Sequence, residues 1–332
     1  MMSKPVEAGI DVSAESFAVA YESPGKPLQE TRLDNSAAGH RKLCRLLTRG
    51  GRPARVCLEA TGIYSLDLAL ALYRAPGIEV MVVNPRVAKD FMRARMHRTK
   101  TDATDAVAIL EFVQHMPFTP WTPPTREILA LRAIARRITA LTLMGGQERN
   151  RRHATDRCRE FPEVLEAESI AHLEFLKTSI QRLTHEALVI IEAHPRLQRW
   201  YTHLVSVKGI ATTSGIRLLA ELAVLPDDMA ARQWVAHAGL DPRHFESGTS
   251  VKKPTRISKI GNKYLRAALY MPALVAIQHE PNVKAFYEQL LVRAKKPMQA
   301  IVAVMRKLLH AIYGMFRHGR DFEGDKFYAL AT

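Results

Sequence analysis

Cysteine is scarce in this 332-residue chain. Cys44, Cys57 and Cys158 form no CxxC pair and no zinc-like spacing, which excludes a disulfide framework and a thiolate metal site. Long apolar runs are missing too: none approaches the length needed to span a bilayer, so no membrane partner is expected. The opening, MMSKPVEAGIDV, lacks the basic-then-apolar shape of a secretory signal. There is no repeat of fixed period and no low-complexity tract. These absences point to a reduced, cytoplasmic, globular protein. With 47% hydrophobic and 24% charged residues its composition is ordinary for a folded chain, and at this length two domains is a better expectation than one.

What the chain has in excess is positive charge. Lys and Arg total 48 against 33 Asp and Glu, a net +15. The excess is uneven: residues 1–122 carry 16 basic and 13 acidic side chains, 123–200 carry 13 and 10, and 201–332 carry 19 and 10. A basic surface gains free energy by releasing the counterions condensed on a polyanion, so nucleic acid is the natural partner. Charge alone also fits a merely soluble basic protein, or one that touches acidic membranes.

The first hundred residues alternate strand-like and helix-like stretches. Val6–Asp11 and Ser16–Tyr21 read as a hairpin, Glu30–Leu33 as a weaker third strand, and Arg55–Ala60 and Glu79–Asn84 as buried strands. Ala37–Leu47, Leu66–Tyr73, Val87–Met96 and Ala103–His115 have helical spacing. This order predicts an α/β ribonuclease-H-like domain, with the first and fourth strands side by side. Pro117, Pro120, Pro123 and Pro124 mark a break. Beyond it, Leu131, Ile134, Ile138 and Leu141 step by three and four, as do Leu173, Leu176, Ile180, Leu183, Ala187 and Ile190. That pattern predicts a helical, coiled-coil-like arm, or two helices that simply pack on their neighbours. From about Val205 the chain reads as mainly α-helical. VSVKGIATTSGIRLLAEL has the look of a helix-hairpin-helix whose turn, with Lys208, could hold a phosphate; a purely structural turn fits equally well.

Four acids carry the chemistry. Asp11 and Glu59 each end an apolar strand, and Asp102 and Asp105 lie three apart at the start of a helix, so both can project from one face. If the fold brings them together, four anions repel unless cations neutralise them. Hard oxygen ligands favour Mg²⁺ or Mn²⁺, and a metal pair suits in-line displacement at phosphorus. Singly, each acid has an ordinary explanation: Asp102 could cap its helix, Asp105 could favour the helix dipole, and the other two could be satisfied at strand ends. It is the set, at three elements of one fold, that points to a metal site.

Two basic stretches accompany the acids. Residues 86–100 carry Arg86, Lys89, Arg93, Arg95, Arg98 and Lys100 against Asp90 alone; such a run is either a solvated helix face or a grip on a phosphate backbone. In 240–266, Ser247-Gly248 sits in a polar loop followed by Lys252, Lys253, Arg256, Lys259, Lys263 and Arg266. Cations around a hydroxyl could hold phosphates near a nucleophile, although on spacing alone an ordinary Ser-Gly turn is the simpler reading.

The strand-end Asp11, LEATGIY around Glu59, VVNP at 82–85 and KTDATDA at 100–106 resemble the Piv-like, DEDD-type insertion-sequence transposases. AGLDP (238–242), ESG (246–248) and ISKIGNKYLRAALY (257–270) resemble that family's C-terminal transposase domain, and the match runs through nearly the whole chain in order. The resemblance implies a RuvC-like nuclease domain over 1–122, a coiled-coil arm over 123–200 and a C-terminal transposase domain over 201–332. It implies Asp11, Glu59, Asp102 and Asp105 as ligands of Mg²⁺ (or Mn²⁺), and Ser247 as a nucleophile that becomes joined to DNA, with Thr249, Ser250 and Ser258 close enough to compete for that role. It further implies donor and target DNA, a structured bridge RNA as guide, a dimer or tetramer drawing its acidic and serine sites from different subunits, and a place in the bacterial nucleoid. Rival readings are a RuvC-like structure-selective DNA resolvase that uses only the acids, and a non-catalytic RNA-binding relative. A sugar-kinase-like or actin-like ATPase shares the core fold, but needs a second glycine-rich phosphate loop that the sequence lacks.

Overall fold

The computed structural model describes residues 4–330 except 61, 96–100, 156, 158–161 and 248–250, and describes 244–247 and 251–254 by their backbone. The chain forms two compact units, Met1–Pro123 and Pro124–Thr332, divided within the proline-rich segment.

The first unit is built on β1 (Val6–Val12), β2 (Ser16–Glu22), β3 (Gln29–Asp34), α1 (Ala37–Leu47), β4 (Ala54–Glu59), α2 (Leu66–Arg74), β5 (Ile78–Val83), α3 (Pro85–Ala94) and α4 (Asp102–His115). The sheet order is β3-β2-β1-β4-β5. β1, β2 and β3 pair antiparallel, whereas β4 and β5 run parallel to β1. This is the ribonuclease-H-like arrangement that the element order predicts, with β1 and β4 adjacent.

Alternation along the strands assigns the two faces. Ala8, Ile10 and Val12 of β1 join Val56 and Leu58 of β4 in a core with Leu43, Leu47, Leu68 and Leu72 of α1 and α2. On the opposite face Ala18, Ala20, Cys57, Met81 and Val83 meet Ala106, Ile109, Leu110 and Phe112 of α4. Gly9 points to this second face. A Cβ there would lie 2.1 Å from the Leu110 nitrogen and 2.4 Å from the Ala106 oxygen, so α4 rests its backbone directly on β1.

The second unit contains α5 (Arg126–Thr155), α6 (Glu163–Glu192), α7 (Pro195–Val205), α8 (Thr212–Leu222), α9 (Ala231–His237), β6 (Pro242–Ser247), β7 (Val251–Ile257), α10 (Lys263–His279), α11 (Pro281–Val292), α12 (Pro297–His318) and α13 (Gly324–Phe327). α5 and α6 run antiparallel, joined near their far ends by Arg152–Glu166 at 3.3 Å and by Ser169–Glu148 at 2.7 Å. Their near ends enter the core of the unit: Leu131, Ala135, Ile138, Ala187 and Ile191 are buried with Leu204, Leu219, Leu269 and Leu308. The segment read as a polar loop in a mainly helical region is instead the β6–β7 hairpin. Between the pairs Arg243–Arg256 and Phe245–Lys253 the ladder bulges, which accommodates Pro254, a residue with no N–H to donate.

Glu148 is the polar centre of the α5–α6 hairpin, only 7% exposed. It accepts from the Ser169 hydroxyl and from Arg151 at 2.6 Å, and His172 Nδ1 lies 3.3 Å away. Those hydrogen bonds, the serine first, hold its carboxyl down to about 2 against an ordinary 4.5. A carboxyl depressed in the folded state contributes stability that is complete above its ordinary range and is lost as pH falls toward the folded value. Glu148→Gln should therefore lower the melting temperature at pH 7, and the gap to the parent protein should close as pH drops below 4. Melting followed by circular dichroism across that range checks this; a gap unchanged down to pH 3 would contradict it.

Candidate nuclease site and nucleic-acid interface

β1 and β4 are parallel neighbours with Ile10 opposite Leu58, so Asp11 and Glu59 come next on both strands and project to the face covered by α4. The direction of α4 follows from its two ends. Gln114, near its C-terminus, donates to Glu22 at 3.0 Å, and Glu22 pairs with Glu7 at the start of β1. Asp102, at its N-terminus, bridges Arg32 at 3.0 Å; Arg32 pairs with Ala18, and Ala18 pairs with Asp11. The first turn of α4 thus stands level with the strand ends that carry Asp11 and Glu59. Asp102 and Asp105 head the same helix stripe that continues, buried, through Ala106, Ile109 and Val113. All four acids are half-buried.

Asp102 is not the helix cap. That position belongs to Thr101, which accepts from the Thr104 N–H at 3.2 Å while the Thr104 hydroxyl accepts from the Thr101 N–H at 2.8 Å. The Asp102 carboxylate is left to pair with Arg32, whose Nε also donates to the Ser16 hydroxyl. Both side chains reach solvent, with accessibilities of 62% and 46%, so the bridge is worth only about 0.2–1 kcal/mol. Among the described residues no three acid, histidine or cysteine side chains stand close enough together to enclose an ion. The donor set, four carboxylates at one end of a sheet, nevertheless fits a hard divalent cation, and the Arg32 guanidinium already puts a positive charge on one of them. Cys57, two residues before Glu59, takes no part: burial pushes its thiol up to about 12.

The basic stretch before α4 is partly neutralised. Arg86 and Arg93 flank Asp90 at 3.5 and 3.9 Å, and Arg95 bridges Glu111 at 3.1 Å. Lys89 is exposed, whereas Arg98 and Lys100 lie outside the described residues.

In the second unit Ser247 ends β6, with its backbone paired to Val251. Gly248, Thr249 and Ser250 are outside the described residues, and Lys252 and Lys253 are placed by backbone alone, on β7. The base of the hairpin is well defined. The Ser258 hydroxyl donates to Asp241 at 2.6 Å and accepts from the Ile260 N–H at 3.2 Å, which engages it at the end remote from Ser247. Arg256, Lys259 and Lys263 are exposed. Arg266 is half-buried and donates to the Ala238 carbonyl at 2.8 Å, so one of its nitrogens serves the fold. α7 and α8 form the expected pair of helices around a short turn. Gly209 (φ +104) in that turn faces the α10 backbone, where a Cβ would come within 2.7 Å of the Pro272 oxygen. Lys208 is exposed and pairs with Glu280 at 3.3 Å.

Two family models match the chain: one described as a transposase over residues 8–155, and one described as the transposase IS116/IS110/IS902 family over residues 201–288. The chain belongs to the IS110 family of transposases. It is 29% identical over 322 residues to the pilin gene-inverting protein of Moraxella bovis, spanning 95% of this chain and 97% of that one. It is also 29% identical over 149 residues to the 43.6 kDa protein of insertion element IS110 from Streptomyces coelicolor, spanning 43% and 35%. Among solved structures, RuvC of T. thermophilus in complex with a Holliday junction substrate covers 36% of this chain and 100% of that one, at 17% identity and a TM-score of 0.28. A score that low carries no weight, and the strand order and the family models carry the assignment.

The transposase holds a second buried carboxylate, besides Glu148, that sequence reading passed over. Glu221 of α8 is 2% exposed. Arg136 of α5 clamps it with two hydrogen bonds, at 2.7 and 3.0 Å, and stacks its guanidinium over Tyr264 at 4.4 Å. Asn262 donates to Glu221 at 2.6 Å while its other side-chain atom caps α10, and its N–H meets the His237 carbonyl. Burial lowers the affinity of the His237 imidazole for a proton, and Glu221 opposes that. α5, α8 and the two helices that flank the β6–β7 hairpin in the chain, α9 and α10, are therefore tied to a single carboxylate. Arg136→Ala should destabilise the protein by about 3 kcal/mol, the lower end of the range for breaking a buried pair, since Asn262 still donates. Replacing both partners, Arg136→Met with Glu221→Leu, should cost less than Arg136→Ala alone. Urea unfolding of the three proteins decides it, and equal losses would contradict a buried ionic tie.

Proposed function

We propose that this transposase cuts and rejoins DNA with the acid end of its first unit and Ser247 of its second, guided by a structured bridge RNA. It is a DNA transposase or recombinase by family. The observation that carries the chemical reading is the level placement of Asp11, Glu59 and the first turn of α4. These acids would hold Mg²⁺ or Mn²⁺, which when bound supplies Lewis-acid stabilisation for displacement at phosphorus.

The chain's own groups do the rest. Arg32, which pairs with Asp102, balances the charge of that carboxylate and would give it up to a bound cation. The exposed cations Lys89, Arg256, Lys259 and Lys263, with Lys252 and Lys253 on β7, hold phosphates. The Ser247 oxygen bonds to phosphorus as its proton leaves, and the bond from phosphorus to the departing strand breaks, with that strand's oxygen taking up a proton. The hydroxyl of the incoming strand then attacks the same phosphorus and releases the serine, so the count of phosphodiesters is conserved. The Asp241–Ser258 clasp fixes the base of the hairpin that presents Ser247.

Acids and serine lie on different compact units, which suits the dimer or tetramer, with shared sites, that the family resemblance implies. In that assembly residues 123–200 serve as a coiled-coil arm between a nuclease segment, 1–122, and a transposase segment, 201–332. Exposed apolar side chains on the α5–α6 hairpin, Leu143 and Phe175 among them at 64% each, support a pairing role.

Denaturing electrophoresis of reactions containing the transposase, its flanking RNA and DNA of the insertion-sequence ends tests the reading. A protein–DNA adduct is expected that Ser247→Ala removes, and Asp102→Asn should abolish both adduct and strand exchange without changing the circular dichroism. Free cut ends with no adduct in any variant would replace this mechanism with a metal-only nuclease. An adduct lost in Ser250→Ala but kept in Ser247→Ala would move the nucleophile.

A further inference from the structure

Between β4 and α2 the chain turns through Gly62 (φ +64) and presents two large apolar side chains to water, Ile63 at 79% and Tyr64 at 51% exposure. Among the described large hydrophobics only Val292 is more exposed than Ile63. The backbone beneath them is held firmly. The Ala60 N–H donates to the Val83 carbonyl and the Gly62 N–H to the Ala60 carbonyl, both at 3.0 Å. The Asn35 side-chain amide donates to the Tyr64 carbonyl and to the Ser13 carbonyl, again both at 3.0 Å, and His40 holds its oxygen at 2.8 Å. Ser13 is two residues beyond Asp11, and Tyr64 is five beyond Glu59. One asparagine thus pins the two turns that follow the strand-end acids, and one of those turns carries the exposed pair. Just after them the chain is buried again, at Ser65 and Leu68.

An aliphatic and an aromatic side chain standing in water contribute nothing to the core and are unfavourably hydrated. Held on a fixed loop beside a site that must reach phosphates, they suit a partner with flat apolar faces. Nucleobases have such faces, and apolar side chains entering between base steps unstack them.

We propose that Ile63 and Tyr64 form a stacking site for an unpaired base of the DNA strand held at the acid end of the sheet. The Tyr64 ring takes the face of the base and Ile63 fills the opened step. This rests on the acid end being where DNA is cut, as argued above, and the test separates the two claims.

The full-length transposase is titrated with three fluorescent probes of one sequence, without divalent metal: a fully paired DNA duplex, the same duplex with two unpaired central bases, and the RNA version of the latter. The parent protein should prefer the unpaired DNA over the paired duplex. Tyr64→Ala should lose about tenfold of that preference, the order expected for one stacked base, with affinity for the paired duplex unchanged. Tyr64→Phe, which keeps the ring, should retain it, and Ile63→Ser should lose part. Asp102→Asn should keep the preference in full even though it cannot cut, so a failed cleavage mechanism leaves this result standing. In the parent protein, 5-iodouracil at the unpaired position should photocrosslink to the peptide containing Tyr64. Equal preference in the parent and Tyr64→Ala, or a crosslink mapping elsewhere, would overturn the proposal. So would a Tyr64-dependent preference for the RNA probe alone, which would make this a site for RNA.

Discussion

Gly9 is the position on which the acid end of the sheet depends. α4 can lie against β1 with backbone on backbone only because no Cβ intervenes, and every placement further along the helix follows from that contact. A helix rises about 1.5 Å per residue, so its first turn is carried a fixed distance beyond Ala106 to the level of Asp11 and Arg32. The acids at the ends of β1 and β4 come from strand pairing, whereas those on α4 come from helix packing. A side chain at residue 9 would lift α4 away from β1 and move the two pairs of acids apart without altering either pair.

The second unit solves a different problem, which is to hold a short polar hairpin steady on a helical base. β6 and β7 have few apolar residues with which to anchor themselves, and a two-stranded ribbon is marginal alone. At its root Ile257 packs on the helical core, and polar groups add to that hold: Ser258 on Asp241, Arg266 on the Ala238 carbonyl, and Asn262 between His237 and Glu221. Buried polar networks of this kind have geometry as their virtue, since each partner accepts only a narrow range of distances and angles.

The parts of this fold that were legible in the sequence share a physical cause. Alternating apolar residues in AGIDV and RVCLE, and helical spacing from Ala37 to Leu47, are local patterns imposed by burial, so strands, helices and strand-end acids could be read directly. What escaped was either long-range or compensated. Arg32 meets Asp102 across two strands and three helices of intervening chain, and Arg136 meets Glu221 across 85 positions, distances at which no local pattern survives. Thr101 took the cap that Asp102 was equally suited to fill, a choice between adjacent residues that spacing cannot make. The β6–β7 hairpin looked like a loop because PRHFES and VKKPTRI have no apolar face, and Pro254 argues against a strand until the bulge is seen.

The tie between Arg136 and Glu221 has a consequence for how such chains exchange parts. A segment starting at residue 124 carries both charges, whereas one starting at 201 takes the carboxylate and leaves its arginine behind. Chimeras that graft the helical hairpin of one relative onto the hairpin-bearing helices of another would have to transfer α5 and α8 as a matched couple. The interchangeable modules of this protein, judged by where its enclosed charge is compensated, are set by a helix-to-helix pairing and not by the boundary drawn along the chain.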